Sequence, residues 1–306
     1  MEVALKVDVD THRGLKLGVP RLARLLEREG VPASFFVAMG PDNSGRALLR
    51  IVRNRGFLSK MFRTRAVSTY GLRTVLSGTL MPARPVGTAF PETMRALKEA
   101  GFELGVHGYD HVRWQDRIER LEPAAVAREL DRAFEGYRQV LGEPAQSFAA
   151  PGWRTSATAL ELLDRKGLLY RSDTRGVFPF RCRIGRRAFD VPEIPTTLPT
   201  MDELMGLPGL RDNAALLGHY LARFSAERLN VHTIHAEVEG MTQLDSFAAL
   251  LRGLKARGAR FVRLCEVAQR LAGQELPVCR LERGFVTGRA GWVSVQGAEL
   301  NGREAA

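Results

Sequence analysis

Two histidines four residues apart, His107 and His111, are the first candidates for chemistry in this chain. At that spacing two imidazoles lie on one face of a helical turn, where both ring nitrogens can reach one cation. They follow the apolar run 102–106, which predicts a buried strand. Loops that follow strands carry many active sites in α/β proteins. Taken alone, the pair fits a histidine- and tyrosine-rich turn equally well.

A carboxylate pair and a third histidine lie at the ends of two other predicted strands. Asp8 and Asp10 end the first strand, and alternate residues of a strand point to one face. His235 ends a late strand. Because the C-terminal ends of parallel barrel strands converge, all three are expected to meet the histidine pair. Each also has a purely structural interpretation, Asp10 as a turn former and His235 as a hydrogen-bonded core residue.

The joint placement of these groups indicates one kind of reaction. Two histidines and one carboxylate form a ligand set for catalytic metals that leaves a position open for water or substrate. The second carboxylate and the third histidine can then act as base and acid. Hydrolysis of an amide needs a metal, a base and an acid. The ligand set suits zinc, manganese or cobalt equally.

The elements that must hold these residues alternate between strands and helices. Strands are predicted at 3–9 and 33–37 with a helix between them, a βαβ unit that favours a parallel sheet. A long amphipathic helix is predicted at 123–141. Roughly seven such units predict one barrel-like α/β domain. The stretch 174–210 and the basic tail after Pro277 are predicted to be irregular.

Composition limits the partners and the compartment. The chain has 306 residues, a formal net charge of +11 and three cysteines, Cys182, Cys265 and Cys279. Such a basic chain is expected to meet an anionic partner, although arginines scattered over surface helices would give the same charge. The cysteines are too few and too scattered for a disulfide framework. Neither a signal peptide nor a membrane span is predicted, which favours a cytosolic protein or one peripheral on a cytosolic membrane face.

The segment 41–88 interrupts the alternation of strands and helices. After Asp42 it holds nine lysines and arginines and no acidic residue, with apolar residues interleaved. This pattern is typical of a helix that lies on an anionic membrane. The alternative is an ordinary insertion that packs on the barrel.

Four short motifs, taken together and in order, resemble those of the polysaccharide deacetylase superfamily. They are Asp8-Val9-Asp10, His107-x3-His111, Ala150-Pro151-Gly152-Trp153 and Thr233-Ile234-His235. The resemblance implies a metal-dependent hydrolase on a distorted (β/α)7 barrel. It also implies a single catalytic domain over 1–293, with the basic insertion at 41–88 and a tail at 294–306.

The resemblance assigns roles to five residues by position. Asp8 resembles the family's general base and His235 its general acid. Asp10, His107 and His111 resemble the ligands of one divalent metal ion. These assignments agree with the chemistry expected from the residue types alone.

The chain departs from the family pattern at Ala149, near which the family usually has an arginine that orients the base. Arg154 or Arg175 is a candidate to replace that arginine. Asp173 occupies the region of the fourth family motif, whose aspartate holds the arginine or the catalytic histidine. Trp153, in the third motif, is a candidate to touch the substrate or to support the site.

Longer stretches resemble one branch of the family, whose members remove a formyl group from a 4-formamido sugar linked to undecaprenyl phosphate. The longest is Thr-Ile-His-Ala-Glu-Val-Glu-Gly at 233–240. The branch implies a lipid-linked substrate and a place at the cytoplasmic face of the inner membrane. Its products are formate and a free amine, which adds positive charge to a lipid A precursor. The insertion at 41–88 would then dock on the anionic membrane surface.

Further polar residues are candidates to bind such a substrate. Arg154, Arg175 and Arg181 are candidates for the phosphate, since a guanidinium matches its geometry. Glu237 and Glu239 are candidates for hydrogen bonds to sugar hydroxyls or for orienting the catalytic histidine.

Other functions remain open at this point. The nearest is an N-deacetylase of an acetylated glycan, such as peptidoglycan or chitin oligomers, but the lack of a signal peptide disfavours an extracellular glycan. A basic nucleic-acid-binding protein would explain the charge, yet no zinc finger, helix-turn-helix or RNA-binding signature is present, so no nucleic acid is expected. A catalytically dead lipid-binding relative would not need the complete acid, base and ligand set. Oligomeric state is not predicted.

Overall fold

Strands and helices alternate along most of the chain. The structure is a computed structural model, and it describes residues 1–49, 77–79 and 81–300. The strands are β1 (Glu2–Val9), β2 (Ser34–Val37), β3 (Glu103–Val106), β4 (Ser147–Phe148), β5 (Tyr170–Arg171), β6 (Arg181–Ile184), β7 (Arg187–Ala188), β8 (Leu229–His235), β9 (Arg260–Val262), β10 (Val278–Phe285) and β11 (Trp292–Glu299). The helices are α1 (Val19–Glu29), α2 (Ser44–Leu49), α3 (Pro91–Glu99), α4 (His111–Arg117), α5 (Pro123–Leu141), α6 (Ala157–Asp164), α7 (Met201–Leu204), α8 (Asn213–Arg223), α9 (Leu244–Ala256) and α10 (Leu264–Leu271).

Strand β1 is the centre of a parallel seven-stranded sheet. The strand order is β5-β4-β3-β2-β1-β8, and β9 also pairs with β1. Residues 3–9 are buried, as expected for a parallel strand covered on both faces. Within the described residues the path of paired strands does not return to β5, so the barrel is curled but not closed. The α/β barrel predicted from the sequence is confirmed.

Helices cover the sheet and supply most of the core. The predicted helix at 123–141 is confirmed as α5, which begins with Pro123 and ends at Gly142, whose φ of +76° allows the left-handed C-cap. Its apolar face is buried against the sheet and its neighbours, as the 3.6-residue period requires. Because strands and helices alternate in this way, the loops at the C-terminal strand ends all open on one edge.

The prediction that the chain is irregular after Pro277 is wrong. Strands β10 and β11 form an antiparallel hairpin, which joins β6 and β7 in a second sheet of order β11-β10-β6-β7. Strand β11 therefore crosses the boundary expected at residue 293. The prediction failed because charged residues interrupt the alternation of the half-buried strand β10, at Arg280, Glu282 and Arg283. The stretch 174–210 was likewise expected to be irregular but contains β6, β7 and α7.

Most of the basic insertion lies outside the described residues. Its beginning is anchored to the barrel through Asp42, which accepts a hydrogen bond from the backbone N–H of His12 (3.1 Å). The expectation of a membrane-surface helix falls on residues 50–76 and 80, which are not described. Among the described helices, none has both the length and the apolar composition to cross a bilayer.

Candidate metal centre and catalytic residues

The register of the sheet places Asp8 and His235 side by side. His235 is the last residue of β8 and Asp8 the second-last residue of β1, and the two are paired across the neighbouring strands. Asp10 follows two residues after Asp8, at the start of the loop. The sheet thus brings together at one edge residues more than two hundred positions apart in the sequence, as predicted from the convergence of parallel strand ends.

Asp10, His107 and His111 form a cluster of metal-ligand type. One candidate ligand atom from each residue lies within 4.8 Å of the others. Nε2 of His107 is 3.2 Å from Oδ1 of Asp10, and Nε2 of His111 is 3.5 Å from Oδ2 of Asp10. Asp8 lies beside the cluster, with its Oδ2 at 3.9 Å from His107 Nε2. The carboxylate therefore faces both imidazoles at distances that one shared cation could bridge.

Hydrogen bonding at His107 indicates that a cation fits this cluster. Nδ1 of His107 donates to the carbonyl oxygen of Ala149 (2.8 Å), because a carbonyl can only accept. In the neutral ring, Nε2 then carries a lone pair that faces the Asp10 carboxylate. Oδ1 of Asp10 is buried and has no hydrogen-bond partner among the described residues. Two lone pairs facing each other in a buried place are stabilised by a metal ion.

His111 is held by the start of helix α4. Asp110 is the N-cap residue, and its carboxylate accepts from the backbone N–H of Arg113 (3.0 Å) and from the side-chain amide of Asn43 (2.7 Å). Burial lowers the pKa of His111 to about 4, although Asp10 opposes this shift. The ring is therefore neutral at pH 7, which is the form that binds metal.

Asp10 is positioned by a carboxylate from the far end of the chain. Oε1 of Glu237 accepts hydrogen bonds from the backbone N–H groups of Asp10 (3.1 Å) and Thr11 (2.8 Å) and from the Thr11 hydroxyl (2.8 Å). A side chain at Gly14 would meet Oε1 of Glu237 at 1.9 Å, so the loop must pack closely here. Although burial raises the pKa of Asp10, the neighbouring histidines lower it well below its ordinary range.

His235 is surrounded by acidic groups and one aromatic ring. Its Nδ1 is 3.6 Å from Oδ1 of Asp202, and its backbone N–H donates to Glu239 (2.8 Å). Burial lowers the pKa of His235, but the carboxylates, first among them that of Asp202, outweigh burial and raise it to about 9. Its ring packs edge-on against Trp153, at 6.2 Å between centroids. At pH 7 the imidazole therefore carries a proton that it can donate.

The backbone of Trp153 is unusual. Its φ of +53° is the one positive value at a non-glycine residue among the described residues, and it follows Gly152 at +63°. Such a conformation costs of order 1–3 kcal/mol and persists where the surroundings impose it. The indole N–H donates to the hydroxyl of Thr196 (2.9 Å), and the ring is buried beside His235. Trp153 thus forms a wall of the site.

The cation beside Asp8 is Lys6, which corrects the expectation that Arg154 or Arg175 takes this place. The Lys6 side chain is 0% exposed, and its Nζ lies 3.6 Å from Oδ2 of Asp8. Nζ also donates to the carbonyl oxygen of Ser172 (2.9 Å) and lies 5.3 Å from the centre of the Trp153 ring. Lys6 and Asp8 are alternate residues of β1 and share one face, so the strand itself delivers the pair.

The three arginines proposed from the sequence have different surroundings, and none of them contacts Asp8. Arg154 donates to the backbone oxygens of Gln115 (2.7 Å) and Trp292 (3.0 Å), which ties the third motif to the hairpin. Arg175 is paired with Glu203 (2.9 Å). Arg181 forms an ion pair with Asp190 on an exposed surface. Neither Arg154 nor Arg181 is brought to the cluster.

Asp173 and Glu193 form a buried acidic pair behind Lys6. Burial raises the pKa of Asp173 well above its ordinary value, and Glu193 adds to this shift. Neither carboxylate oxygen of Asp173 has a hydrogen-bond partner among the described residues. The neighbouring residue Ser172 supplies the carbonyl that holds Lys6. Asp173 thus lies beside the segment that fixes the cation, without touching the candidate ligands.

Three residues near the site were missed from the sequence: Lys6, Asp202 and Arg289. Lys6 carried a signal, since a lone lysine inside an apolar strand two residues before Asp8 must find a buried partner. Asp202 lies in α7, whose start Thr200-x-x-Glu203 is a capping-box pattern. Arg289 lies at the tip of the hairpin that was not predicted, and nothing in its local sequence links it to the site.

The fold and this arrangement define a class of protein: an α/β-barrel hydrolase that acts on amides, with a ligand set for a divalent metal. The chain belongs to the polysaccharide deacetylase family, whose model matches residues 2–170. That segment contains Asp8, Asp10, His107 and His111, but it ends before His235.

Two relatives are similar to this chain over most of its length and theirs. The chain is 35% identical over 305 residues to a protein of Shewanella sediminis named probable 4-deoxy-4-formamido-L-arabinose-phosphoundecaprenol deformylase ArnD, covering 100% of this chain and 98% of the relative. A protein of the same name from Wigglesworthia glossinidia brevipalpis is 30% identical over 286 residues, covering 92% of this chain and 98% of the relative. A crystal structure from Mycobacterium smegmatis, described as a polysaccharide deacetylase, has the same fold, with a TM-score of 0.64 at 19% identity, and covers 93% of this chain and 94% of the other.

Proposed function

We propose that the protein removes the formyl group from 4-deoxy-4-formamido-L-arabinose-phosphoundecaprenol, releasing formate and the 4-amino sugar on its lipid phosphate. The observation that carries this proposal is the similarity over 98% of the length of a relative that bears this name. The site supports it, because a base, an acid and a metal-ligand set lie together at one edge of the barrel. Release of the amine would add positive charge to a lipid A precursor.

Asp10, His107 and His111 would hold one divalent metal ion, either zinc, manganese or cobalt. When bound, such an ion polarises an amide carbonyl and lowers the pKa of water. The His111 ring is neutral, and His107 donates its Nδ1–H to the carbonyl oxygen of Ala149, which leaves Nε2 toward the cluster. Both features prepare the histidines to act as ligands.

Asp8 is the proposed general base. Its Oδ1 is buried and has no hydrogen-bond partner among the described residues, so it can accept a proton from the water that attacks the formyl carbon. Lys6 holds the carboxylate in place through Oδ2. Lys6 therefore acts as a positioning residue, the role that the resemblance gives to an arginine of the third motif.

His235 is the proposed general acid. Its raised pKa keeps the imidazole protonated at pH 7, and the proton passes to the amine nitrogen as the C–N bond breaks. Trp153 and Asp202 fix the ring from two sides. Glu237 and Glu239 are proposed to hold the backbone of Asp10 and His235 rather than sugar hydroxyls, since both carboxylates face main-chain N–H groups.

Formate release from a synthetic lipid-linked 4-formamido sugar tests this function. We expect turnover of the formamido substrate, loss of turnover with a chelator and recovery on addition of a divalent cation. The matched control is the acetamido analogue, which we expect to be a much poorer substrate. Turnover of the acetamido analogue or of N-acetylated glycan oligomers at a similar rate would instead support the deacetylase alternative.

Replacement of Lys6 tests its positioning role. We expect Lys6→Met to lower kcat about 10- to 100-fold with little change in KM, since a charge-assisted contact of about 1.5–3 kcal/mol to the base is lost. Lys6→Arg keeps the cation and should recover most of kcat. Steady-state kinetics with metal analysis makes the measurement. Equal losses in the two variants would show that shape, rather than charge, matters at this position.

We further propose that the protein works at the cytoplasmic face of the inner membrane. A prenyl phosphate substrate lies in a bilayer, and the net charge of +11 favours an anionic membrane surface. The cations of the insertion at 41–88 are suited to this contact, each contributing about 1 kcal/mol near anionic lipid.

A further inference from the structure

A groove of about 550 Å³ lies beside the catalytic site, on the side of helix α7 and the β10–β11 hairpin. One wall is apolar, and the polar part includes Arg175, Arg223 and three threonines. Among the described residues that line it, none is acidic. The lining thus suits a ligand with an apolar chain and a negative charge. The apolar lining comprises Leu204, Leu207, Pro208, Leu210 and Val286, with Pro199 at the edge.

Arg289 lies beside Trp153, the aromatic wall of the catalytic site. Its guanidinium lies over the Trp153 ring (4.7 Å), which packs on His235. On the groove side, Arg175 lies over the same ring (4.8 Å). Burial lowers the pKa of Arg289, and the carboxylates of Glu203, Asp202 and Asp10 act in the opposite direction. The guanidinium therefore lies beside the catalytic site, and Val286 and Thr287 of the same hairpin turn line the groove.

Two guanidinium groups, those of Arg289 and Arg175, lie near one buried carboxylate. Arg175 and Arg289 share the buried carboxylate of Glu203, at 2.9 Å and 3.8 Å respectively. The Arg289 side chain is only 10% exposed, and among the described residues its one hydrogen bond goes to the carbonyl oxygen of Gly152 (3.2 Å). A guanidinium has five N–H donors, so most of them remain for a ligand. Because Asp202 is paired with His235 and Asp10 faces the two ligand histidines, the two guanidinium groups near Glu203 favour the binding of a further anion.

The hairpin tip that carries Arg289 is fixed in place. Gly288 has a φ of +82°, and a side chain there would meet the backbone oxygen of Glu203 at 1.8 Å. The turn therefore packs directly on helix α7. The backbone N–H of Arg289 donates to the carbonyl oxygen of Val286 (3.0 Å), which closes the turn. Such a fixed guanidinium loses little freedom when it binds a phosphate.

We propose that Arg289, with Arg175 behind it, binds the phosphate of a polyprenyl-phosphate sugar, and that the groove holds the first isoprene units. This inference rests on the proposed function and names the lipid-phosphate subsite of the same substrate. A sugar with nitrogen at C4 must close its ring through the oxygen at C5, which places C1 and C4 across the ring from each other. An amide at the metal-ligand cluster therefore directs the C1 phosphate away from it, toward Arg289. Phe285, 84% exposed and adjacent in sequence to groove residue Val286, adds an exposed apolar side chain beside the groove.

Three substrates separate the parts of this proposal: the neutral methyl glycoside of the 4-formamido sugar, its methyl phosphodiester and its farnesyl phosphodiester. We expect Arg289→Gln to lower kcat/KM about 10- to 100-fold on both phosphodiesters, because one charge-assisted hydrogen bond is lost. On the glycoside, which has no phosphate, the same variant should lower kcat/KM less than about threefold. Val286→Asn should lower kcat/KM for the farnesyl compound alone. Arg280→Gln, an exposed change on the same hairpin, is the matched control.

Equal losses on all three substrates, or no loss on the phosphodiesters, would overturn the phosphate assignment of Arg289. An unchanged farnesyl preference in Val286→Asn would overturn the groove. Calorimetric titration with farnesyl phosphate measures binding without turnover, and we expect Arg289→Gln to weaken it at least tenfold. If the wild-type protein binds farnesyl phosphate in this Arg289-dependent way but deformylates none of the three substrates, the proposed function fails while the binding site stands. If Arg289→Gln binds farnesyl phosphate as tightly as the wild type, the site itself fails.

Discussion

Asp8→Asn should lower kcat by about 10²- to 10⁴-fold, the usual contribution of a general base, while the metal content stays unchanged. The amide keeps the shape of the side chain but cannot accept the proton of the attacking water. Asp8 lies beside the candidate ligands but is not one of the three that cluster most closely. Single-turnover formate release and elemental analysis of the same preparation measure both quantities.

The matched control for Asp8→Asn is Asp131→Asn, the same chemical change at an exposed position. Asp131 lies on helix α5 and forms an ion pair with Lys166. We expect this variant to keep wild-type kcat. If Asp8→Asn retains more than a tenth of the wild-type kcat with full metal content, Asp8 is not the base. A loss of metal together with activity would instead place Asp8 among the ligands.

His107→Ala is expected to abolish both metal binding and turnover. Removing a group that only orients a ligand typically costs 10- to 100-fold in metal affinity, so removing a ligand should cost more. The metal-dependent rise in Tm should vanish as well, because a ligand that binds only the folded state stabilises it. Elemental analysis and thermal unfolding with and without added zinc, manganese or cobalt make the test.

His235→Gln provides the contrast to His107→Ala. It removes the proposed acid but none of the three clustered ligands, so it should lose turnover and keep the metal and the metal-dependent rise in Tm. Wild-type metal content in His107→Ala would contradict the assignment of His107 as a ligand. Loss of metal from His235→Gln would place His235 in the coordination sphere and leave the acid unassigned.

The central site could be predicted from the sequence because it depends on strand ends. Asp8, Asp10 and His235 each end or follow a strand, and parallel strands in a barrel bring such residues to one edge whatever their distance in the chain. Lys6 could have been added by the same argument, since it shares a strand face with Asp8. The structure places these groups together through the pairing of β1 with β8.

The supporting residues could not be predicted because no periodic pattern fixes their positions. Asp202 lies on a four-residue helix within a stretch rich in proline and glycine, where tertiary packing determines the path. Arg289 reaches the site because the β10–β11 hairpin packs on that helix, and three charged residues hide the alternation of β10. Most of the insertion lies outside the described residues, and the membrane-docking hypothesis rests on its composition.

The hydrogen bonds from the backbone of Asp10 and Thr11 to Glu237 have a consequence for synthesis of the protein. All three metal-ligand candidates lie within the first 111 residues, yet the carboxylate that fixes Asp10 is added 227 positions after it. A growing chain would thus carry the ligands long before it could arrange them, and contacts so distant in sequence form late. Glu237 must therefore be synthesised before it can hold Asp10 in place. The final arrangement of the candidate ligands therefore depends on a segment that is made long after the ligands themselves.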